Sequence, residues 1–345
     1  MNKTVNIAKG LSIIAMVIGH VLSSDNILTI FIYKWHMPLF FFFSGYFFNE
    51  KKYTPKQFLL RKWRTICIPY IFWSLSILYL HNFLVFLHIN DSSIYDFQKY
   101  KILTYRVIFE FRQYEALLGT FWFLVQLLIV NLLALLLLYV IRYLKGKNIL
   151  KYKVFILIIS MMGAIILCKY HIVIYYNFNY ISLLAFCFFI SGYIAKDLNL
   201  LGKGKLFVAI IILIFSTPSF REMINLGYNE ILFYFITAIC GILIIYNISS
   251  AIERVDFIGN IYSYIGTNSL CIMILHFASF KIVTFLIMKY YGLSQTVMAQ
   301  HPVIKDVSFV WKISYIIIGL CVPLIVNEIY HAIKRKFINK EKYVR

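Results

Sequence analysis

The chain has 345 residues, 61% of them hydrophobic and only 14% charged, with a mean hydropathy of +0.79. Soluble domains run at about 45–50% apolar and about 25% charged, so a soluble enzyme, a disordered chain and a disulfide-stapled secreted domain are all excluded. The composition predicts an all-α polytopic membrane protein. A net charge of +20 would suggest nucleic acid in a soluble protein. Here the basic residues lie between apolar runs, where membrane topology accounts for them, and no nucleic-acid partner is expected.

Apolar runs of about 20 residues, enough to cross a bilayer, fall at 7–24, 29–48, 65–88, 120–141, 152–170, 178–195, 205–219, 230–249, 261–288 and 313–332. These predict a single domain over 1–345, a bundle of about ten transmembrane helices. The first run lacks a small-residue cleavage site and leads into further spans, so it reads as a helix and not a signal peptide. Lys3, the loops around Lys51–Arg64, Arg142–Lys153 and Lys196–Lys205, Arg254 and the tail from Lys334 hold 22 of the 34 basic residues. These are alternate loops, so the bias predicts both termini in the cytoplasm. The segment 89–119 is too polar to span and reads as surface loop and short amphipathic helix. Six cysteines show no C-x-x-C and no zinc spacing, and read as buried thiols. One internal echo stands out, Phe-Phe-Phe-Ser-Gly-Tyr at 41–46 and Phe-Phe-Ile-Ser-Gly-Tyr at 188–193. It reads as close helix packing at a small Ser-Gly step.

Ionisable groups at membrane depth are costly and mark functional candidates. Lys9 and His20 share the first run, eleven residues or about 16 Å apart, on roughly the same helix face. Lys9 also suits snorkelling to headgroups, and His20 suits a helix-end histidine bonded to a carbonyl. His36 follows in Trp35-His36-Met37-Pro38. His276 lies in Ile-Leu-His-Phe of the ninth run, and Trp122 opens the fourth. These three histidines and a tryptophan fall at similar depth, in the outer half, and suggest one shared site. No two of the histidines lie on one helix at ligand spacing, so no metal is expected.

These residues also carry a resemblance. Asn6-Ile-Ala-Lys9 through His20 resembles the first-helix signature of the acyltransferase-3 family, a basic residue, ten intervening residues and a histidine. Trp35-His36-Met37-Pro38 through Gly45 is similar to its second-helix motif. Arg61-Lys62-Trp63-Arg64 with Pro69 is similar to its basic loop and third helix. Trp122-Phe123-Leu124 matches a short aromatic motif, and Gly266-Thr267-Asn268-Ser269-Leu270 through His276 resembles a late-helix motif. The likeness covers nearly the whole chain and is strongest to the branch described as fucose 4-O-acetylase-like. Two positions depart from the wider pattern. Lys9 stands where Arg is usual, which keeps the charge and loses the bidentate fork, and Asn6 stands where Asp is usual.

The resemblance implies an O-acyltransferase of the cell membrane, of bacterial inner-membrane type. It would move an acetyl or similar short acyl group from cytosolic acetyl-coenzyme A to a hydroxyl of an extracytoplasmic carbohydrate. Besides membrane lipids, acyl-coenzyme A and the carbohydrate are its expected partners. His20 would be the general base. His36 would be the second catalytic residue, orienting the acceptor or stabilising the oxyanion with Trp122 and His276. Lys9, Arg61, Arg64 and Asn268 would face the donor. Asn268 also reads as a helix cap, and Ser44 is a weaker candidate nucleophile. The competing class is an exporter or flippase of a polysaccharide or lipid-linked sugar. Against it, no paired broken-helix repeat is visible beyond the Ser-Gly-Tyr echo.

Overall fold

A computed structural model of the protein describes residues 2–49, 52–143, 149–201, 210 and 222–343, with the side chains of 138, 140–143 and 336–343 excepted. Nine helices among the described residues are long and apolar enough to cross a membrane. They match nine of the ten expected runs. The tenth, 205–219, lies outside the described residues apart from position 210. No strand occurs among the described residues, only an isolated bridge between Tyr175 and Phe178.

The elements run α1 Lys3–Val21, α2 Ile27–Tyr33, α3 His36–Tyr46, α4 Pro55–Lys62, α5 Ile68–Phe86, α6 Phe97–Phe109, α7 Trp122–Tyr143, α8 Ile149–Lys169, α9 Tyr180–Asp197, α10 Ile231–Ile252, α11 Asp256–Thr267, α12 Ser269–Tyr291 and α13 Phe309–Tyr343. Three differ from the expected runs, each for a local reason. The second run breaks at Lys34–Trp35 into α2 and α3, because Pro38 lacks an N–H and fits only the first turn of a helix. The third is a longer span over Pro55–Phe86 with a π-turn at Trp63–Cys67, immediately before Pro69. A π-turn accommodates a proline ring that would otherwise meet the carbonyl one turn back. The expected run 261–288 divides at Asn268. There Thr267 Oγ1 and Asn268 Nδ2 donate to the carbonyls of Ser263 and Tyr264, four residues back, and end the amphipathic α11 before α12 begins. Segment 89–119 is loop plus α6, whose N-terminus Asp96 caps by accepting from the Lys99 amide at 2.7 Å.

Two close crossings organise the bundle. The repeated hexapeptides pack on each other. A Cβ at Gly45 would lie 1.8 Å from the Phe189 carbonyl oxygen, and one at Gly192 would lie 1.9 Å from that of Phe42. Likewise α1 meets α11 through Gly10 against Tyr262 and Gly266 against Asn6. Small residues let backbones approach where lipid offers no hydrophobic drive for association. Polar bonds pin the remainder. Ser182 of α9 donates to Gln126 of α7 at 2.7 Å, and Gln126 donates to the Asn177 carbonyl at 2.9 Å. All six cysteines are free. Four are buried as expected, Cys271 is half-buried, and Cys321 is exposed.

Candidate active site

The break between α2 and α3 builds the centre of the site. Ser12 of α1 donates to the His36 carbonyl at 2.6 Å, and Tyr234 of α10 donates to the Tyr33 carbonyl at 3.1 Å. Those two bonds hold the break between α1 and α10. Across it, His36 Nδ1 donates to the Ile32 carbonyl at 2.9 Å. A carbonyl can only accept, so the Nδ1 hydrogen is fixed and a neutral His36 keeps its lone pair at Nε2.

A cavity of about 240 Å³ opens beside it, lined by His20, Tyr33, His36, Trp122, Glu222 and His301 among others. The structure therefore brings His20, His36 and Trp122 together, from three different helices. His20 Nδ1 sits 3.3 Å from Tyr33 Oη, and its ring packs on Phe277 at 4.9 Å. In the tautomer whose Nδ1–H donates to the Tyr33 oxygen, His20 Nε2 carries the lone pair a general base needs.

His276 takes a different place from the one expected. It is fully buried and stacks on His20 at 5.4 Å between centroids, but it is not among the residues lining the cavity. Its Nδ1 donates to the Ile272 and Met273 carbonyls, both at 3.0 Å. Neutral His36 and His276 thus have no N–H to offer an oxyanion. The Trp122 indole and the His301 imidazole carry N–H groups among the cavity residues, while the Tyr234 hydroxyl already serves the Tyr33 carbonyl.

A second cavity of about 260 Å³ lies toward the Lys9 end of α1, lined by Lys9, Ser44, Lys62, Thr65 and Ser269. Met16 and Met37 line both cavities. Along α1 the wall runs Lys9, Ile13, Met16, His20, the i, i+4, i+7, i+11 stripe of one helix face. The π-turn and the last turn of α4 supply Thr65 and Lys62.

Three expected donor residues lie elsewhere. Arg61 is exposed and bonds Tyr53, and its guanidinium lies 5.1 Å from that ring centre. Arg64 is exposed on the π-turn and does not line the cavity. Asn268 makes no cap bond. Besides donating to Tyr264, it accepts from Asn327 of α13 at 2.9 Å, so its side chain is occupied in holding three helices.

Glu222, His301, Tyr33 and Tyr234 are site residues that sequence reasoning missed. Burial pushes the Glu222 carboxyl up from its usual range. Although part of His301 is exposed, the surrounding protein, with Lys281 as a second cause, holds its imidazole down at about 4. His301 is therefore neutral at physiological pH. Among the described residues no group of three or more His, Cys, Asp or Glu is placed to hold a metal.

The family model of the acyltransferase domain matches residues 2–328, nearly the whole chain. The chain belongs to the acyltransferase-3 family. The match is to the family and not to any branch of it. No curated protein and no solved structure matches the sequence. With its multiple apolar helices, the acyltransferase is a multi-pass membrane enzyme. The family match favours the enzyme reading over the exporter one.

Proposed function

We propose that this acyltransferase moves a short acyl group, acetyl first among the candidates, from cytosolic acyl-coenzyme A to a carbohydrate hydroxyl on the far side of the membrane. The observation that carries the reading is the pair of cavities, one cationic and one histidine-lined, that share Met16 and Met37 in their walls. Coenzyme A is polyanionic, and Lys9 and Lys62 suit its phosphates. The loop-charge bias turns that end to the cytoplasm, with both termini. Methionine is flexible enough to yield to a pantetheine arm.

The acceptor hydroxyl gives its proton to His20 Nε2 while its oxygen bonds the thioester carbonyl carbon. The tetrahedral oxyanion takes a hydrogen bond from the Trp122 indole N–H. Collapse breaks the C–S bond, and the coenzyme A thiolate leaves with the proton held by His20. His36, with its bare Nε2, accepts a hydrogen bond from a neighbouring acceptor hydroxyl and orients the sugar.

The test is acyl transfer by purified protein supplied with acetyl-coenzyme A. Lys62→Met and Lys9→Met should each raise the donor KM about tenfold with less effect on kcat. Arg61→Ala and Arg64→Ala should change it about twofold or less, since neither side chain lines the cavity. A donor KM that follows Arg61 and Arg64 and ignores Lys62 would move the donor site to the outer loop.

A further inference from the structure

A third cavity of about 310 Å³ adjoins the histidine-lined one. Its polar wall is Asn90, Asp91, Ser92, Glu115, Lys281 and His301, over an apolar floor that includes Leu84 and Leu117. His301 lines this chamber and the His20 cavity alike, so it stands where the two meet.

The chamber wall is rigid. His81, fully buried, lies 2.9 Å from Glu115 Oε1 and 3.1 Å from the Ser93 carbonyl. Asn90 donates to Glu115 at 3.2 Å. Burial raises the Glu115 carboxyl, and the bond from His81 offsets part of that. Lys281, 6% exposed, donates two of its three N–H groups to the Met298 and Gln300 carbonyls at 2.8 and 2.6 Å. That leaves one donor over.

The chemistry differs from that of the Lys9 cavity. One ammonium here is answered by two carboxylates, which disfavours a polyanion such as coenzyme A. The mix of amide, hydroxyl, carboxylate and ammonium over an apolar floor suits vicinal hydroxyls, which both donate and accept.

We propose that this chamber holds the sugar next to the one being acylated, so that the enzyme reads at least two consecutive units of its acceptor. The proposal rests on the carbohydrate-acceptor reading above. One sugar presents its hydroxyl to His20. Its neighbour passes His301 and hydrogen-bonds the chamber wall. A neutral His301 can both donate to and accept from the linking unit. A monosaccharide leaves the chamber empty and forgoes that binding.

The test fills the chamber. Ala116→Trp and Ala299→Trp each build an indole into it from a wall position that is not fully buried. In cells producing the full-length variants, alkali-labile acyl esters on surface glycans should fall about tenfold or more. The same proteins, purified, should bind acetyl-coenzyme A within about twofold of wild type. Unchanged ester levels overturn the proposal. Parallel loss of donor binding in both variants also overturns it, because the chamber is then a packing element.

Ser92→Cys on a Cys321→Ser background guards against misfolding. A bulky charged methanethiosulfonate, added to the folded protein, should stop transfer, and reduction should restore it. Transfer that survives complete modification overturns the chamber. If wild-type protein binds no acetyl-coenzyme A and its removal leaves glycan esters unchanged, the carbohydrate-acyltransferase function itself fails, and the chamber with it.

Discussion

His20→Ala should lower acyl transfer by about 10²–10⁴-fold, the range that a positioned general base contributes, with normal expression and near-normal donor binding. The expectation follows from placement. His20 lines the cavity, its Nδ1 faces Tyr33 Oη at 3.3 Å, and Phe277 and His276 pack against its ring. His36 has its own bare Nε2, but that ring is set by α2 through Ile32. His36→Ala should therefore cost less in kcat than His20→Ala and more in acceptor KM. Initial rates with labelled acetyl-coenzyme A measure both. Transfer retained by a folded His20→Ala protein would remove His20 from the chemistry.

Gly45→Val should abolish folded protein or lower its thermal midpoint more than any substitution lining a cavity. The new Cβ would fall 1.8 Å from a backbone oxygen of α9, and backbone does not rotate aside. Overpacking a core costs about 1–3 kcal/mol where side chains can adjust, and here the helices must separate. Gly192→Val should behave alike, since the crossing is reciprocal. Gly163→Ala is the contrast, because its Cβ meets only the Leu183 side-chain tip at 2.8 Å, which a change of rotamer relieves. Detergent-solubilised melting followed by size exclusion measures all three. A Gly45→Val protein that melts with wild type would mean that the crossing is looser than the structure has it.

Much of the architecture was legible because hydrocarbon imposes length and apolarity on every span. The small-residue reading of the hexapeptide echo was legible for the same reason, since close approach without a hydrophobic drive needs glycine. Helix breaks at Lys34–Trp35 and Asn268 were not. A mean over about 20 apolar residues passes over one proline or one polar step. The convergence of His20, His36 and Trp122 could be read as equal depth, but not as contact, because the order of helices around a bundle is fixed by packing between distant segments.

Tyr33 and Tyr234 are two of 27 tyrosines, and only the fold gives them a cavity face. His301 and Glu222 come from connecting segments. His301 lies between the last two expected runs, in a segment that a search for apolar spans passes over. Arg61 and Arg64 drew attention by charge and motif, while Lys62, between them, is the side chain that the α4 helix turns toward the cavity. Adjacent helix positions lie about 100° apart, so a basic run cannot aim all its members at one site.

The central claim is that donor and acceptor meet beside His20 from opposite ends of one passage. A structure of the enzyme with bound acetyl-coenzyme A tests it most directly. The account predicts phosphates against Lys9 and Lys62, the pantetheine arm between Met16 and Met37, and the thioester carbonyl within reach of His20 Nε2. Coenzyme A lodged on the His301 side, or an acyl group that stays on the Lys9 side of the two methionines, would contradict it.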